Sequence, residues 1–240
     1  MALPKLQHPT FEVKLPSTQK SFIFRPYTVK EQKILLMLQE TKEPEELSRC
    51  VKDLIESCCT VDINTDKLTY FDLEYILLRL RSKSVGEISS LAFRCNNQVA
   101  DEACGTVNKI ELNLEDIQVD FSKAKSQEIQ LQDTIIIKLG YPSIKSARLL
   151  EQYNSERDPK ILIEAIANDT LTVADQEKIY DDFTKDELVA FLSELNLTSF
   201  QSILEFYVNA PKLRKSIDFT CRKCGFKDVI VLEGLTDFFV

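Results

Sequence analysis

Histidine is almost missing from this 240-residue chain: the one present, His8, stands beside Pro9 in the N-terminal segment. A Ser-His or Cys-His nucleophile system needs an imidazole base. His8 has no sequence partner for that role and reads as a solvated tail histidine. No glycine-rich phosphate loop, dinucleotide fingerprint or zinc-protease motif occurs either. Carboxylates abound (Asp181, Asp182, Asp186, Glu187), but Asp186 and Glu187 fall at an expected helix start, where capping and the helix dipole account for them. The chain therefore reads as a protein without catalysis and without a small-molecule substrate.

Long apolar runs are also lacking. None approaches the roughly 20 residues needed to span a bilayer, so no membrane segment is expected. The start, Met1 to Leu6, lacks the apolar centre of a signal peptide, so the protein is expected to be cytosolic when made. Positive charge is in deficit: the formal net charge is -8. An acidic chain repels phosphate backbones, so a general nucleic-acid binder is disfavoured. The deficit is uneven, because the N-terminal stretch up to Lys33 and the stretch from Lys212 to Lys227 are basic while the middle is acidic. The seven cysteines are an odd number, so they cannot all pair within one chain. In a reducing compartment they serve as core fillers, metal ligands or nucleophiles.

What is present is an ordinary globular pattern, 44% hydrophobic and 28% charged, with neither the low hydrophobicity nor the charge excess of a disordered chain. Phe11, Val13 and Leu15 alternate with polar residues, Pro16 to Lys20 supplies turn chemistry, and Phe22 and Phe24 alternate on a return strand. Thr28 and Glu31 form a capping-box signature ahead of Ile34, Leu35 and Leu38. A second helix is expected from Pro44 to Cys58 on the stripe Leu47, Val51, Leu54 and Ile55, with Cys50, Cys58 and Cys59 as buried small hydrophobes. A third starts near Thr69 or Asp72 and ends in the polar stretch Arg81 to Gly86. Strands follow at Ile88 to Arg94, Val107 to Leu114, Glu128 to Leu131 and Thr134 to Leu139. Helices are expected at Ser146 to Tyr153, Pro159 to Asn168, Val173 to Phe183, Lys185 to Leu195 and Thr198 to Asn209. A hairpin from Ser216 to Leu232 precedes an apolar tail, Leu235 to Val240. That tail either docks on its own core or inserts in a partner, and the ordering of docked termini favours its own core. The fold class is α+β: a helical core with several antiparallel β-hairpins, two of them cysteine-tipped, zinc-ribbon-like knuckles. The division expected is residues 1–143 and 144–240, with one integrated domain as the alternative.

Those two hairpins echo each other. Leu91-Ala-Phe-Arg-Cys95 leads to Cys104-Gly105 and then Ile110-Glu-Leu112; Ile217-Asp-Phe-Thr-Cys221 leads to Cys224-Gly225 and then Ile230-Val-Leu232. A metal knuckle needs two thiolates aimed at one centre from one tight turn. A glycine after the second cysteine lets the backbone fold under with its amides toward sulfur. Cys221-Arg-Lys-Cys224-Gly225 fits well, and Arg222 and Lys223 favour the thiolate form. Cys95 and Cys104 are separated by eight residues, a spacing that no longer argues for metal on its own. Together the four would make a tetrahedral structural zinc site: Cys95, Cys104, Cys221 and Cys224. The alternatives are a hairpin pair that keeps its fold without metal, and a redox Cys-x-x-Cys. The last is opposed by the strand that follows, where a redox motif needs a helix N-terminus.

Pro4-Lys-Leu6, Phe11-Glu-Val-Lys-Leu-Pro-Ser-Thr18, Phe24-Arg-Pro-Tyr-Thr-Val-Lys-Glu31, Ile34-Leu-Leu-Met37, Phe71-Asp-Leu-Glu-Tyr75, Leu78-Arg-Leu-Arg-Ser-Lys-Ser-Val-Gly-Glu87, Ile136-Ile-Lys-Leu-Gly-Tyr-Pro142 and the terminal Cys-x-x-Cys-Gly hairpin occur in this order along nearly the whole chain. The ordered set resembles the baseplate protein family of T-even-type contractile-tailed bacteriophages. The resemblance implies a component or assembly factor of the baseplate hub, placed in the virion tail baseplate after assembly in the host cytoplasm. Its partners would be other phage baseplate and tail proteins, with no catalysis. The widened first cysteine loop departs from the family's pattern and leaves metal binding there open. The competing class is a zinc-ribbon adaptor that touches nucleic acid through Lys212, Arg214, Lys215, Arg222, Lys223 and Lys227. Only Phe219 and Phe226 interleave with that basic run, and hairpin packing claims both.

Overall fold

The computed structural model describes residues 6–33, 44–100, 102–132 and 134–238. It is α+β, with helices and small antiparallel sheets. The chain divides into two compact units. One comprises Met1–Ile63, Phe71–Asp120 and Lys212–Val240; the other comprises Asn64–Tyr70 and Phe121–Pro211.

The first unit opens with the expected hairpin, β1 (Phe11–Lys14) on β2 (Ser21–Phe24). Alternation puts Val13, Leu15 and Phe24 inside. Residues 29–33 are helical, capped by Thr28 and Glu31 through bonds of 2.8 Å from the Thr28 N–H and 2.5 Å from its hydroxyl to the Glu31 carboxylate. Ile34, Leu35 and Leu38 lie outside the described residues, as does the side chain of Leu47. The helix Pro44–Cys58 buries Leu54, Ile55 and Cys58. Cys50 and Cys59 are only half-buried, contrary to expectation: Cys59 has already left the helix, and its thiol lies against the Ile23 carbonyl.

The helix Tyr70–Val85 is buried on nearly every side, by Phe71, Leu73, Ile76, Leu77, Leu78 and Leu80 among others. That all-round burial makes it the centre of the unit. Its buried Arg79 serves the loop beyond the next strands. The guanidinium donates to the Leu114 and Ile117 carbonyls at 2.9 and 2.7 Å and stacks 4.6 Å from the Tyr75 ring centroid. Strand β3 (Ile88–Arg94) pairs with β6 (Val107–Asn113), and the loop between them carries a miniature pair, β4 (Gln98–Val99) with β5 (Glu102–Ala103). The short strand β7 (Gln118–Asp120) has too few residues to show alternation. It completes a sheet with β12 (Lys212–Thr220) and β13 (Lys227–Glu233), in the order β13-β12-β7. The stretch Lys212 to Lys215 is thus paired strand from its first residue. Phe238 is buried with Leu78, Leu91, Leu114, Leu213 and Leu232, so this part of the apolar tail docks on its own core; Phe239 lies outside the described residues.

The second unit sets a four-stranded sheet, β11-β10-β9-β8, among four helices: β8 Glu128–Gln132, β9 Ile135–Leu139, β10 Thr170–Ala174 and β11 Ile179–Tyr180, with helices Ile144–Glu156, Pro159–Asp169, Lys185–Ser193 and Leu197–Val208. The helix expected over Val173 to Phe183 is instead the β10–β11 hairpin. Asp175 accepts the N–H groups of Glu177 and Lys178 at 2.8 and 2.9 Å, which makes a turn, and β-branched Thr170, Thr172 and Val173 pair with β9. The capping box at Thr184 and Glu187 is formed on both sides. The core gathers Leu131, Ile137, Leu139, Leu162, Ile166, Leu188, Leu192, Ile203 and Phe206. Within it Asp169 is almost fully buried and accepts from the Ser146 hydroxyl at 2.6 Å and the Tyr207 hydroxyl at 3.2 Å.

Candidate metal centre

The two cysteine hairpins share one backbone design. In the second, Gly225 N–H bonds to the Cys221 carbonyl at 2.9 Å and Cys221 N–H bonds to the Phe226 carbonyl at 2.8 Å. In the first, Gly105 N–H bonds to the Cys95 carbonyl at 3.1 Å and Cys95 N–H bonds to the Thr106 carbonyl at 2.9 Å. Gly105 and Gly225 hold φ of +61° and +70°, the left-handed region that glycine enters without a Cβ penalty. The eight residues between Cys95 and Cys104 do not open the turn. They leave it as the β4–β5 pair, whose base closes through Cys104 N–H to the Asn97 carbonyl at 2.8 Å. The long spacing therefore conceals a knuckle of the same shape as its partner.

Packing of one hairpin on the other, in separate sheets, then brings the tips together. Cys95, Phe219 and Cys221 are buried in one apolar cluster, with Cys104, Cys224, Ile110 and Ile230 packed against it. Cys95 Sγ lies 3.7 Å from Cys224 Sγ, and Cys104 Sγ lies 3.8 Å from Cys221 Sγ. All four sulfurs fall within 4.8 Å of one another. A disulfide holds its sulfurs near 2.05 Å, so these are four thiols. A tetrahedral metal with bonds of about 2.3 Å to sulfur needs S···S edges of about 3.8 Å. Two of the four cross-hairpin pairs already stand at that distance, and sulfur-only donors suit zinc and other thiolate-binding metals.

The electrostatics favour thiolate chemistry unevenly. Backbone N–H groups of Cys224 and Lys223 hold the Cys221 thiol down to about 6, against the opposing pull of burial. The Thr106 hydroxyl and N–H lower Cys104. At Cys95 the Asn97 N–H favours the thiolate, but burial and the other three sulfurs outweigh it and push the thiol up to about 12. Four thiolates this close repel one another, and a divalent cation held by Cys95, Cys104, Cys221 and Cys224 would relieve that repulsion and favour loss of the remaining protons.

All four cysteines singled out from the sequence are in the cluster, and Cys50, Cys58 and Cys59 are not. The sequence reading passed over Asn108. It is buried on β6, its Oδ1 accepts the Arg222 N–H at 3.0 Å, and its Nδ2 donates to the Thr106 carbonyl at 3.0 Å and lies 3.7 Å from Cys221 Sγ. Asn97 Nδ2 stands 3.7 Å from Cys224 Sγ. The legible signal was alternation: Asn108 shares the inward face with Ile110 and Leu112, where an unpaired amide would be costly. His8 is exposed.

Fold and site together define a class: an α+β protein in which two hairpins far apart in sequence meet at a four-cysteine cluster. Comparison of the sequence with protein-family models makes the assignment specific. The chain belongs to the family described as T4 bacteriophage base plate protein, whose model matches residues 8–240. It is a component of the virion tail baseplate. No curated protein and no solved structure matches the chain.

Proposed function

We propose that this protein is a structural or assembly component of the baseplate hub, that it acts through interfaces with other tail proteins without catalysis, and that a zinc ion held by Cys95, Cys104, Cys221 and Cys224 clamps its two cysteine hairpins. The observation that carries the reading is the sulfur cluster itself. Two of its cross-hairpin pairs stand at tetrahedral edge length and join positions 129 and 117 residues apart in the chain. A four-sulfur set fills a tetrahedral metal and leaves no open position for substrate, which marks structural rather than catalytic sites. The zinc ties the C-terminal segment to the middle of the chain and makes one rigid element of two marginal hairpins.

The nucleic-acid adaptor has less support. Lys212 pairs with Glu233 at 2.9 Å, Arg214 lies 3.8 Å from Asp120, and Phe219 is buried, which withdraws it from stacking on bases. Protein purified without chelator should carry about one zinc per chain, and chelation should lower its melting temperature. Co-expressed with other tail proteins of its phage, it should co-purify with them. Absence of metal together with an unchanged melting temperature in chelator refutes the clamp. Tight DNA or RNA binding at moderate salt refutes the preference for a protein-binding role.

A further inference from the structure

We infer that Asn108 is the positioning residue of the metal clamp: an amide on the first hairpin that docks the second knuckle and aims its sulfur before any metal arrives. The inference rests on the metal reading above.

Each knuckle has its own internal N–H···O bonds, which set the spacing of its two cysteines but not the placement of one knuckle on the other. A tetrahedron assembled from two halves fails when the halves slide by an ångström. Asn108 resists that sliding with both ends of its amide. Its Oδ1 takes the N–H of Arg222, the residue after Cys221, at 3.0 Å. Its Nδ2 is anchored by the Thr106 carbonyl at 3.0 Å, just after the first knuckle's glycine, and faces Cys221 Sγ at 3.7 Å. One planar group thus links residues 106, 108, 221 and 222, and its O and N assignment follows from the two partners: an N–H must meet an oxygen and a carbonyl an N–H. At 5% exposure the amide is shielded from water that would compete for these bonds. Asn97 repeats the motif at lower burial, reaching Cys224 Sγ at 3.7 Å. Asn97 and Asn108, both on the first hairpin, therefore each serve a sulfur of the second.

N–H donors to metal-bound sulfur spread its charge and fix its lone-pair direction, and loss of such outer-shell partners typically weakens metal binding about 10–100-fold. The substitution Asn108→Asp keeps the acceptor for Arg222 N–H but removes the donor to sulfur; Asn108→Ala removes both. Asn97→Ala, on the half-exposed loop, tests the same chemistry where folding is not at risk.

The experiment uses the full chain, reduced and stripped of metal, with zinc affinity measured by competition against a chromophoric chelator and the sulfur environment read from cobalt(II) absorption. Wild type should bind one zinc and give an intense thiolate-to-cobalt band. Asn108→Asp and Asn108→Ala should keep that stoichiometry, weaken zinc about 10–100-fold and move the band to longer wavelength, with a smaller change for Asn97→Ala. Zinc affinity and cobalt spectra equal to wild type in the Asn108→Asp and Asn97→Ala chains overturn the inference while leaving the clamp intact. A wild-type chain that binds neither zinc nor cobalt overturns the clamp itself.

Discussion

Asp169 offers a stability measurement with a sign that can be worked in advance. Burial pushes its carboxyl from 3.8 to about 6, even though the Ser146 hydroxyl, the Ser143 N–H and the Tyr207 hydroxyl all favour the charged form. The folded-state value lies above the unfolded one, so the contribution of Asp169 to stability is fully present below about pH 4 and is lost as pH rises through about 6. A shift of roughly two units corresponds to about 3 kcal/mol. The amide introduced by Asp169→Asn carries no charge at any of these pH values. The stability of that variant relative to wild type should therefore climb by about 2–3 kcal/mol between pH 4 and pH 7. The offset at pH 4 depends on how well the new amide fits its three donors, so the pH dependence, not the offset, is the readout. Urea unfolding of both chains followed by far-ultraviolet circular dichroism measures it. Other titrating groups cancel in the difference. A difference that stays flat with pH refutes the reasoning, and one that shrinks as pH rises shows the three donors outweighing burial.

Three further outcomes follow from the first unit. Arg79→Met should cost about 2–5 kcal/mol in denaturant unfolding, because it orphans the buried carbonyls of Leu114 and Ile117; a loss under about 1 kcal/mol would show that water reaches both. At Glu31, burial raises the carboxyl, but the Arg25 guanidinium at 3.0 Å and the Thr28 hydroxyl and N–H outweigh it and bring it to about 2. That stability is present above about pH 4.5 and is lost as pH falls through about 2, so Glu31→Gln should cost up to ~3 kcal/mol at pH 7 and converge on wild type in acid. An Ala at position 225 would meet no atom within 4 Å but would have to hold φ near +70°. Gly225→Ala should therefore destabilise by about 1–2 kcal/mol, and a neutral effect would mean that the turn relaxes.

Local periodicity carried much of the secondary structure. The helix Pro44–Cys58 and the strand Ile88–Arg94 run as their apolar spacing predicts, because an amphipathic face needs only nearest neighbours in the chain to be legible. The echo of Phe, Cys and Gly identified all four clustered cysteines for a similar reason: a knuckle is a local turn, and its glycine marks it. Reading failed where a non-local partner decides. Residues 173–180 hold a mixed pattern that a helix would also satisfy, and pairing with β9 settles it. Gln118–Asp120 has no signal of its own and is a strand because β12 lies beside it.

The sequence alone thus determined the family, the α+β character and the two knuckles, each written in contiguous residues. Tertiary structure alone decided that the knuckles meet. The loop between Cys95 and Cys104 looks too long for a metal turn until its middle residues pair with each other and return Cys104 beside Cys95. Asn108 looks like one more strand residue until the strand packs it against a hairpin more than a hundred residues away. The physical reason is the same in both cases: sulfur geometry and buried amide bonds are set by distances through space, and the chain brings those atoms together only when its distant segments have packed.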